Sequence, residues 1–170
     1  GHHFRAFIFK KLKNYQQALY EIDRIDSALQ KVKEMKKKKT ILLLRSGVYW
    51  DRGNYQGVMN CINEAVRIDP RDPLLFKVRG IYHLLMKEYQ NALADFEQVI
   101  RIDQKKKLNT LGDLAKLIRY DEREVWRFSF PAEQHNEIYK NFKIFSEKYP
   151  KFKKRYEQYV LDAPKIDPWW

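Results

Sequence analysis

Apolar residues between Ala18 and Val32 recur every three or four positions, at Ala18, Leu19, Ile22, Ile25, Leu29 and Val32. That spacing lines one stripe of a 3.6-residue helix. The same logic predicts helices over about 4–12, 40–52, 55–68, 73–86 and 89–102. Asn14-Tyr15 and Arg52-Gly53-Asn54 punctuate them, and Asp69-Pro70-Arg71-Asp72-Pro73 stops the helix before it. Pro73 suits a first helical turn, with Asp72 as its N-cap. The helix from Tyr15 is expected to run long, toward Lys36, leaving Lys36 to Lys39 as a connection. Past Lys107, the spacing of Leu111, Leu114, Leu117 and Ile118 predicts a helix over 109–118, then a charged connector from Arg119 to Arg127. Ser129-Phe130-Pro131-Ala132-Glu133 reads as a helix start. That helix runs to about Lys148 with Ile138, Phe142 and Phe145 on one side. Tyr149-Pro150 breaks the chain before a last helix carrying Phe152, Tyr156, Tyr159 and Val160, and the end through Pro164, Pro168, Trp169 and Trp170 reads as irregular.

These helices repeat. Tyr55-Gln56-Gly57-Val58 returns 34 residues later as Tyr89-Gln90-Asn91-Ala92, and Val66-Arg67-Ile68-Asp69 as Ile100-Arg101-Ile102-Asp103. Ile62 meets Phe96 and Ala65 meets Val99 in the same register. Asn14-Tyr15-Gln16-Gln17-Ala18-Leu19 is a third copy, displaced by 40 residues. A fixed period of this size identifies stacked helical hairpins, each too small to bury its apolar face alone.

The pattern resembles the tetratricopeptide repeat (TPR). Leu42, Ser46, Tyr49, Gly53, Tyr55, Val58, Ile62, Ala65 and Pro70 fill the family's signature positions in the unit from Lys39. The unit from Pro73 supplies Phe76, Gly80, His83, Lys87, Tyr89, Ala92, Phe96, Val99 and Gln104, departing from the pattern at Lys87 and Val99. The first unit keeps Ala6, Phe9, Tyr15, Ala18, Ile22 and Ile25. The resemblance covers about residues 4–104 and implies an all-α, right-handed α-solenoid of three hairpins, at about 1–35, 39–72 and 73–106. A capping helix and connector over 107–128 and a helical extension over 129–170 would close it.

The resemblance also implies a concave groove lined by the first helix of each hairpin. Its positions fall on Phe7 and Lys10, on Thr40, Leu43, Gly47 and Trp50, and on Leu74, Lys77, Ile81 and Leu84. Of these, Phe7, Lys10, Leu43, Gly47, Trp50, Lys77, Ile81 and Leu84 are the candidate partner-binding residues. Such a lining accepts an amphipathic helix or an extended peptide, and Trp is enriched at binding hot spots. The protein's own C-terminal segment, with Trp126, Trp169 and Trp170, is the competing occupant. Co-chaperone members of the family clamp a chaperone's C-terminal carboxylate with Lys, Asn and Arg donors. This chain has His3, Phe7, Leu44, Leu74 and Val78 at those places, so carboxylate-clamp chaperone binding is not expected.

Charge adds a rival. The chain carries a net charge of +12, unevenly spread: +7 over residues 1–39, zero over 40–104 and +5 over 105–170. Lys36, Lys37, Lys38 and Lys39, then Arg71, then Lys105, Lys106 and Lys107 sit at successive hairpin junctions. Lysines after a helix C-terminus complement its dipole and keep an edge soluble. A ridge of them could instead dock an anionic polymer, either acidic cytoskeletal tails or RNA. The basic and aromatic interleaving from Lys148 to Tyr156 suits base stacking, but helical spacing explains the same aromatics as core.

Chemistry is sparse. His2, His3, His83 and His135 have no Cys or carboxylate at metal-ligand spacing, and the glycines at 47, 53, 57, 80 and 112 form no phosphate loop. Asp121-Glu122-Arg123-Glu124 reads as a solvated connector. Neither catalysis, nor a metal, nor a cofactor is expected. Cys61 is a packing residue on a repeat helix, and a single cysteine fits a reducing compartment, with the cytoplasm as the expected location. No apolar run approaches the roughly 20 residues of a membrane span. Gly1-His2-His3 reads as a tag remnant or as the interior of a longer protein. The reading is a scaffold or adaptor that binds a protein partner in its groove.

Overall fold

A computed structural model of the chain describes residues 2–29 (side chains to Ser27), 35–111, 130 and 134–162. Among these residues there are eight helices and no strand. They are α1 (His2–Lys11), α2 (Tyr15–Leu29), α3 (Met35–Asp51), α4 (Tyr55–Ile68), α5 (Pro73–Leu85), α6 (Tyr89–Lys106), α7 (His135–Lys148) and α8 (Pro150–Asp162). The described residues up to Pro70, with Phe130, form one unit; those over 71–111 and 134–162 form another. The division falls inside the repeat array, because the third hairpin packs with α7 and α8.

The three hairpin turns are built alike. Lys13, Gly53 and Lys87 occupy one register position, and all are left-handed, at φ 57°, 73° and 60°. Their amides donate to Lys10, Trp50 and Leu84 carbonyls at 3.0, 2.9 and 3.0 Å. The next amides, of Asn14, Asn54 and Glu88, reach back to Phe9, Tyr49 and His83 at 2.8, 2.9 and 2.8 Å. This paired closure satisfies the last carbonyls of the first helix. Asn54 then caps α4 by accepting from Gly57 N at 2.9 Å, as Asn14 does for α2 from Gln17 N at 3.3 Å. Lys87 therefore departs from the family's glycine in sequence and keeps its backbone. Lys87→Gly should raise stability by about 0.5–1 kcal/mol, since the left-handed region costs an L side chain about 1–2 kcal/mol. Gly53→Ala should lower it by a similar amount. Nothing lies within 4 Å of the added methyl, so the change is conformational. Urea unfolding of the two variants checks the opposite signs.

In the first unit, Ala6, Ala18, Ile22, Ile25, Ile41, Leu44 and Val48 form a buried cluster, with Phe7, Phe9, Tyr15 and Leu19 packed against it. It draws on α1, α2 and α3, so the first hairpin is completed only by the helix that follows. The second helix of each hairpin buries the same three positions. Ala18, Ile22 and Ile25 correspond to Val58, Ile62 and Ala65, and to Ala92, Phe96 and Val99; all lie within 6% of full burial. Asp72 accepts from Leu74 N at 3.0 Å with Pro73 in the first turn, as predicted for the start of α5.

Three local expectations are corrected. Lys36 to Lys39 are not a connection; they belong to α3, which starts at Met35. Four cations at a helix N-terminus oppose the dipole, which is why the sequence favours a loop there. Lys is nonetheless a good helix former, and Lys39 Nζ meets Asp69 Oδ2 at 2.7 Å, offsetting one charge. No helix begins at Asn109: residues 109–111 are non-helical. There Thr110 N and Oγ1 donate to Asp103 at 2.6 and 2.7 Å, which holds the chain out of a helical path. The helix expected from Ser129 starts at His135. The expectations for 30–34, 112–129, 131–133 and the terminal tryptophans lie outside the described residues.

In the second unit, α7 lies against α5 and α8 against α6. Phe96 of α6 sits among Phe142, Phe145 and Phe152 at ring-centroid distances of 6.1, 5.5 and 6.2 Å. Of the aromatics in the basic stretch from Lys148 to Tyr156, Phe152 is buried in this core while Tyr149 and Tyr156 are half-buried at its edge, with Lys151, Lys153 and Lys154 exposed between them. Pro150 opens α8, where its missing N–H costs nothing.

Candidate partner-binding surface

The eight groove candidates divide between the units. In the first, Lys10, Leu43 and Gly47 are buried, while Phe7 and Trp50 are half-buried. Lys10 Nζ meets Asp51 Oδ2 at 3.0 Å, a strut from α1 to α3. Trp50 stacks at a tilt on Tyr55, ring centroids 4.8 Å apart, and Tyr55 is 50% exposed. The pair joins the last turn of α3 to the first of α4. Phe7 lies under the Lys11 ammonium, 5.8 Å from the ring centroid.

In the second unit, Lys77, Ile81 and Leu84 are all buried. At Leu84 the cover is visible: Asn141 of α7 donates from Nδ2 to its carbonyl at 3.3 Å. Tyr89, one residue position past the next turn, meets Phe145 of α7 at 6.3 Å and carries the Lys148 ammonium at 5.5 Å. Leu84 and Tyr89 hold the register positions of Trp50 and Tyr55. Tyr55 and Tyr89 therefore begin equivalent helices but keep different company. In the second unit, the chain's own α7 rests on that pair of positions. Phe130 is fully buried in the first unit, far in sequence from the repeats beside it.

The charged candidates also divide. Lys106 Nζ donates to the Arg71 carbonyl at 3.1 Å, bringing those two ridge members together in the second unit. Lys105 and Lys106 close α6, and Lys107 is its left-handed C-cap at φ 55°. Lys36 to Lys39 belong to the first unit. On α8, Lys151, Lys153, Lys154 and Arg155 are exposed, and Arg155 reaches Glu97 at 3.5 Å.

Sequence reasoning missed several paired polar groups, most of which join residues 12 or more positions apart. Arg79 grips Asp95 through Nε at 3.0 Å and Nη2 at 2.8 Å, joining α5 to α6. His83 stands between Glu88 Oε2 at 3.1 Å and Asp95 Oδ2 at 3.8 Å, a rim-to-core position. His2 Nδ1 lies 2.7 Å from Glu21 and holds that carboxyl below its usual range. Burial pushes the Cys61 thiol up to about 11, leaving it neutral and a poor nucleophile. Among the described residues, no group of three or more His, Cys, Asp or Glu could hold a metal. No helix there is long and apolar enough to cross a membrane.

Comparison with known proteins agrees with the repeat register. A family model described as tetratricopeptide repeat matches residues 79–106, which are α6 and the end of α5. Stress-induced-phosphoprotein 1 of Caenorhabditis elegans is 29% identical over 98 residues, covering 58% of this chain and 29% of that protein. The matched stretch thus spans less than a third of the relative. No solved structure matches.

Proposed function

This chain is a tetratricopeptide repeat protein, and from that premise we propose that it is a scaffold or adaptor holding a protein partner, as a helix or extended peptide, along the first helices of its hairpins. The repeat array itself is a protein–protein interaction module. The observation that carries the finer reading is the half-exposed Trp50–Tyr55 pair. At the same register positions in the second unit, Leu84 and Tyr89 receive α7 through a backbone carbonyl and an aromatic face. A partner helix would use Trp50 and Tyr55 in the same manner, with Phe7 and the surface of α3 beside them. Lys10, Leu43 and Gly47 shape the wall from beneath. In the second unit, Lys77, Ile81 and Leu84 are buried and α7 lies against their helix, so they serve a partner there only where α7 gives way.

Trp50→Ala with Tyr55→Ala is expected to weaken partner binding by about 10- to 100-fold, the range of an aromatic hot spot, with far-UV helicity unchanged. Unchanged affinity in titration calorimetry refutes the groove.

A second reading rests on Lys106 beside Arg71, with Lys105 and Lys107 exposed around them. An anionic polymer bound there would release counterions, and its affinity would fall steeply with salt. Elution from heparin below about 0.2 M salt dismisses this reading, since that range removes only weak phosphate-type contacts.

A further inference from the structure

One carboxylate latches α8 to the end of the third hairpin. Asp103 of α6 is buried and accepts from Thr110 N at 2.6 Å, from Thr110 Oγ1 at 2.7 Å and from the Tyr159 hydroxyl of α8. The acceptor carries the negative charge, so the latch depends on Thr110 keeping a hydroxyl proton to donate.

Thr110 also stands apart from the other hydroxyls. A basic residue lies three positions before Ser27, Thr40, Thr110 and Ser146, at Arg24, Lys37, Lys107 and Lys143. Ser27, Thr40 and Ser146 are inside α2, α3 and α7. Thr40 and Ser146 donate back to the Lys36 and Lys143 carbonyls of their own helices, at 3.1 and 3.0 Å. Among the described residues, Thr110 is the one Ser or Thr outside a helix. It is half-buried, and Lys105, Lys106 and Lys107 just before it are exposed. Phosphoryl transfer needs the acceptor oxygen in line with the γ-phosphate, and a segment outside a helix can reach it without unwinding one. Kinases choose substrates by their charge pattern.

We propose that Thr110 is a phosphorylation site for a Ser/Thr protein kinase that reads basic residues upstream, and that the phosphate unlatches α8. Local opening after α6 presents the hydroxyl. Oγ1 attacks the γ-phosphorus of ATP, the bond to the β–γ bridging oxygen breaks, ADP leaves, and the hydroxyl proton passes to the kinase's catalytic carboxylate. The product sets a charge of about −1.5 to −2 where a donor stood. Beside the Asp103 carboxylate it repels, and the three exposed lysines draw it outward. Leu111 moves with Thr110, and its backbone bonds to Tyr156 and Tyr159, at 3.0 and 2.9 Å, go too. The last turns of α8 thereby lose the polar node that fixes them. The site lies in the second unit, so it and the Trp50–Tyr55 reading can fail separately.

The test uses the full chain, a purified Ser/Thr kinase of basic substrate preference and γ-labelled ATP. Label should enter at Thr110, located by peptide mass spectrometry. Lys105→Gln with Lys107→Gln should slow its entry by at least about tenfold, because the upstream charge is what the kinase reads. In the phosphorylated chain, amide exchange over 150–162 should quicken by at least about tenfold while that over 55–68 is unchanged. Thr110→Val removes the donor without adding charge; it should take no label at residue 110 and quicken exchange less. Asp103→Asn should shrink the effect of phosphorylation, because it removes the opposing charge. Label confined to other residues, or no label, overturns the proposal. So does a phosphorylated chain whose α8 exchanges as before or more slowly. An effect that Asp103→Asn leaves undiminished overturns the latch as its cause.

Discussion

Phe96→Ala should lower the stability of the second unit by about 4 kcal/mol, the middle of the range for a buried aromatic. Phe96 is fully buried. Its ring meets Phe142 and Phe145 edge-on and Phe152 at a tilt, so one side chain joins α6 to both α7 and α8. Space for the ring exists because residue 80 has no side chain: a methyl there would lie 2.6 Å from Cε1 of Phe96. The first and second hairpins place Ala6 and Ser46 at this position, facing the smaller Ile22 and Ile62 in register. Gly80→Ala should therefore cost about 1–3 kcal/mol by overpacking. Adding Phe96→Leu to it should recover part of the loss, a coupling that a double-mutant cycle in urea reads directly. Amide exchange should show protection lost first in α7 and α8, because repeat arrays open at their weakest interface.

The second large effect belongs to Asp103→Ala, at about 3 kcal/mol. Asp103 is 1% exposed at the end of α6. Its carboxylate accepts from Thr110 N, Thr110 Oγ1 and the Tyr159 hydroxyl of α8. Tyr159 in turn accepts from Leu111 N at 2.9 Å, and Tyr156 donates to the Leu111 carbonyl at 3.0 Å. Removing the carboxylate leaves several buried donors without an acceptor, each worth about 1–3 kcal/mol, partly recovered by relaxation. Tyr159→Phe should cost less, about 1–2 kcal/mol, since it removes one hydroxyl from the same node. Burial first, then the hydrogen bond to Asp103 and that carboxylate's charge, push the Tyr159 phenol well above its ordinary range. It therefore stays protonated while the unfolded chain's phenol ionises near its usual value of about 10, so the stability this hydroxyl contributes should be present at neutral pH and fall as pH rises through about 10, with a slope of up to about 1.4 kcal/mol per pH unit.

The hairpins were legible because their signals are local and repeated: a turn residue, an aromatic after it and apolar spacing on both sides. Lys87 shows the limit of residue identity, since a lysine adopts the glycine's left-handed backbone. The four lysines at 36–39 misled, because the ion pair from Lys39 to Asp69 joins residues 30 apart and has no local signature. Lys10 was placed in the groove by its register position in the repeat, and its ion pair with Asp51, on another helix, equally has no local signature. The aromatics of α7 and α8 were readable as core from their spacing. That they close on Phe96 and Tyr89 was not, because nothing in the order of residues says which hairpin a distant helix will cover.

Photo-cross-linking from residue 50 tests the central claim most directly. With a benzophenone amino acid in place of Trp50, irradiation in the cells that make this protein should yield a covalent adduct with another polypeptide, diminished when Tyr55→Ala is added. Adducts confined to the chain itself, or to nucleic acid, would contradict the account.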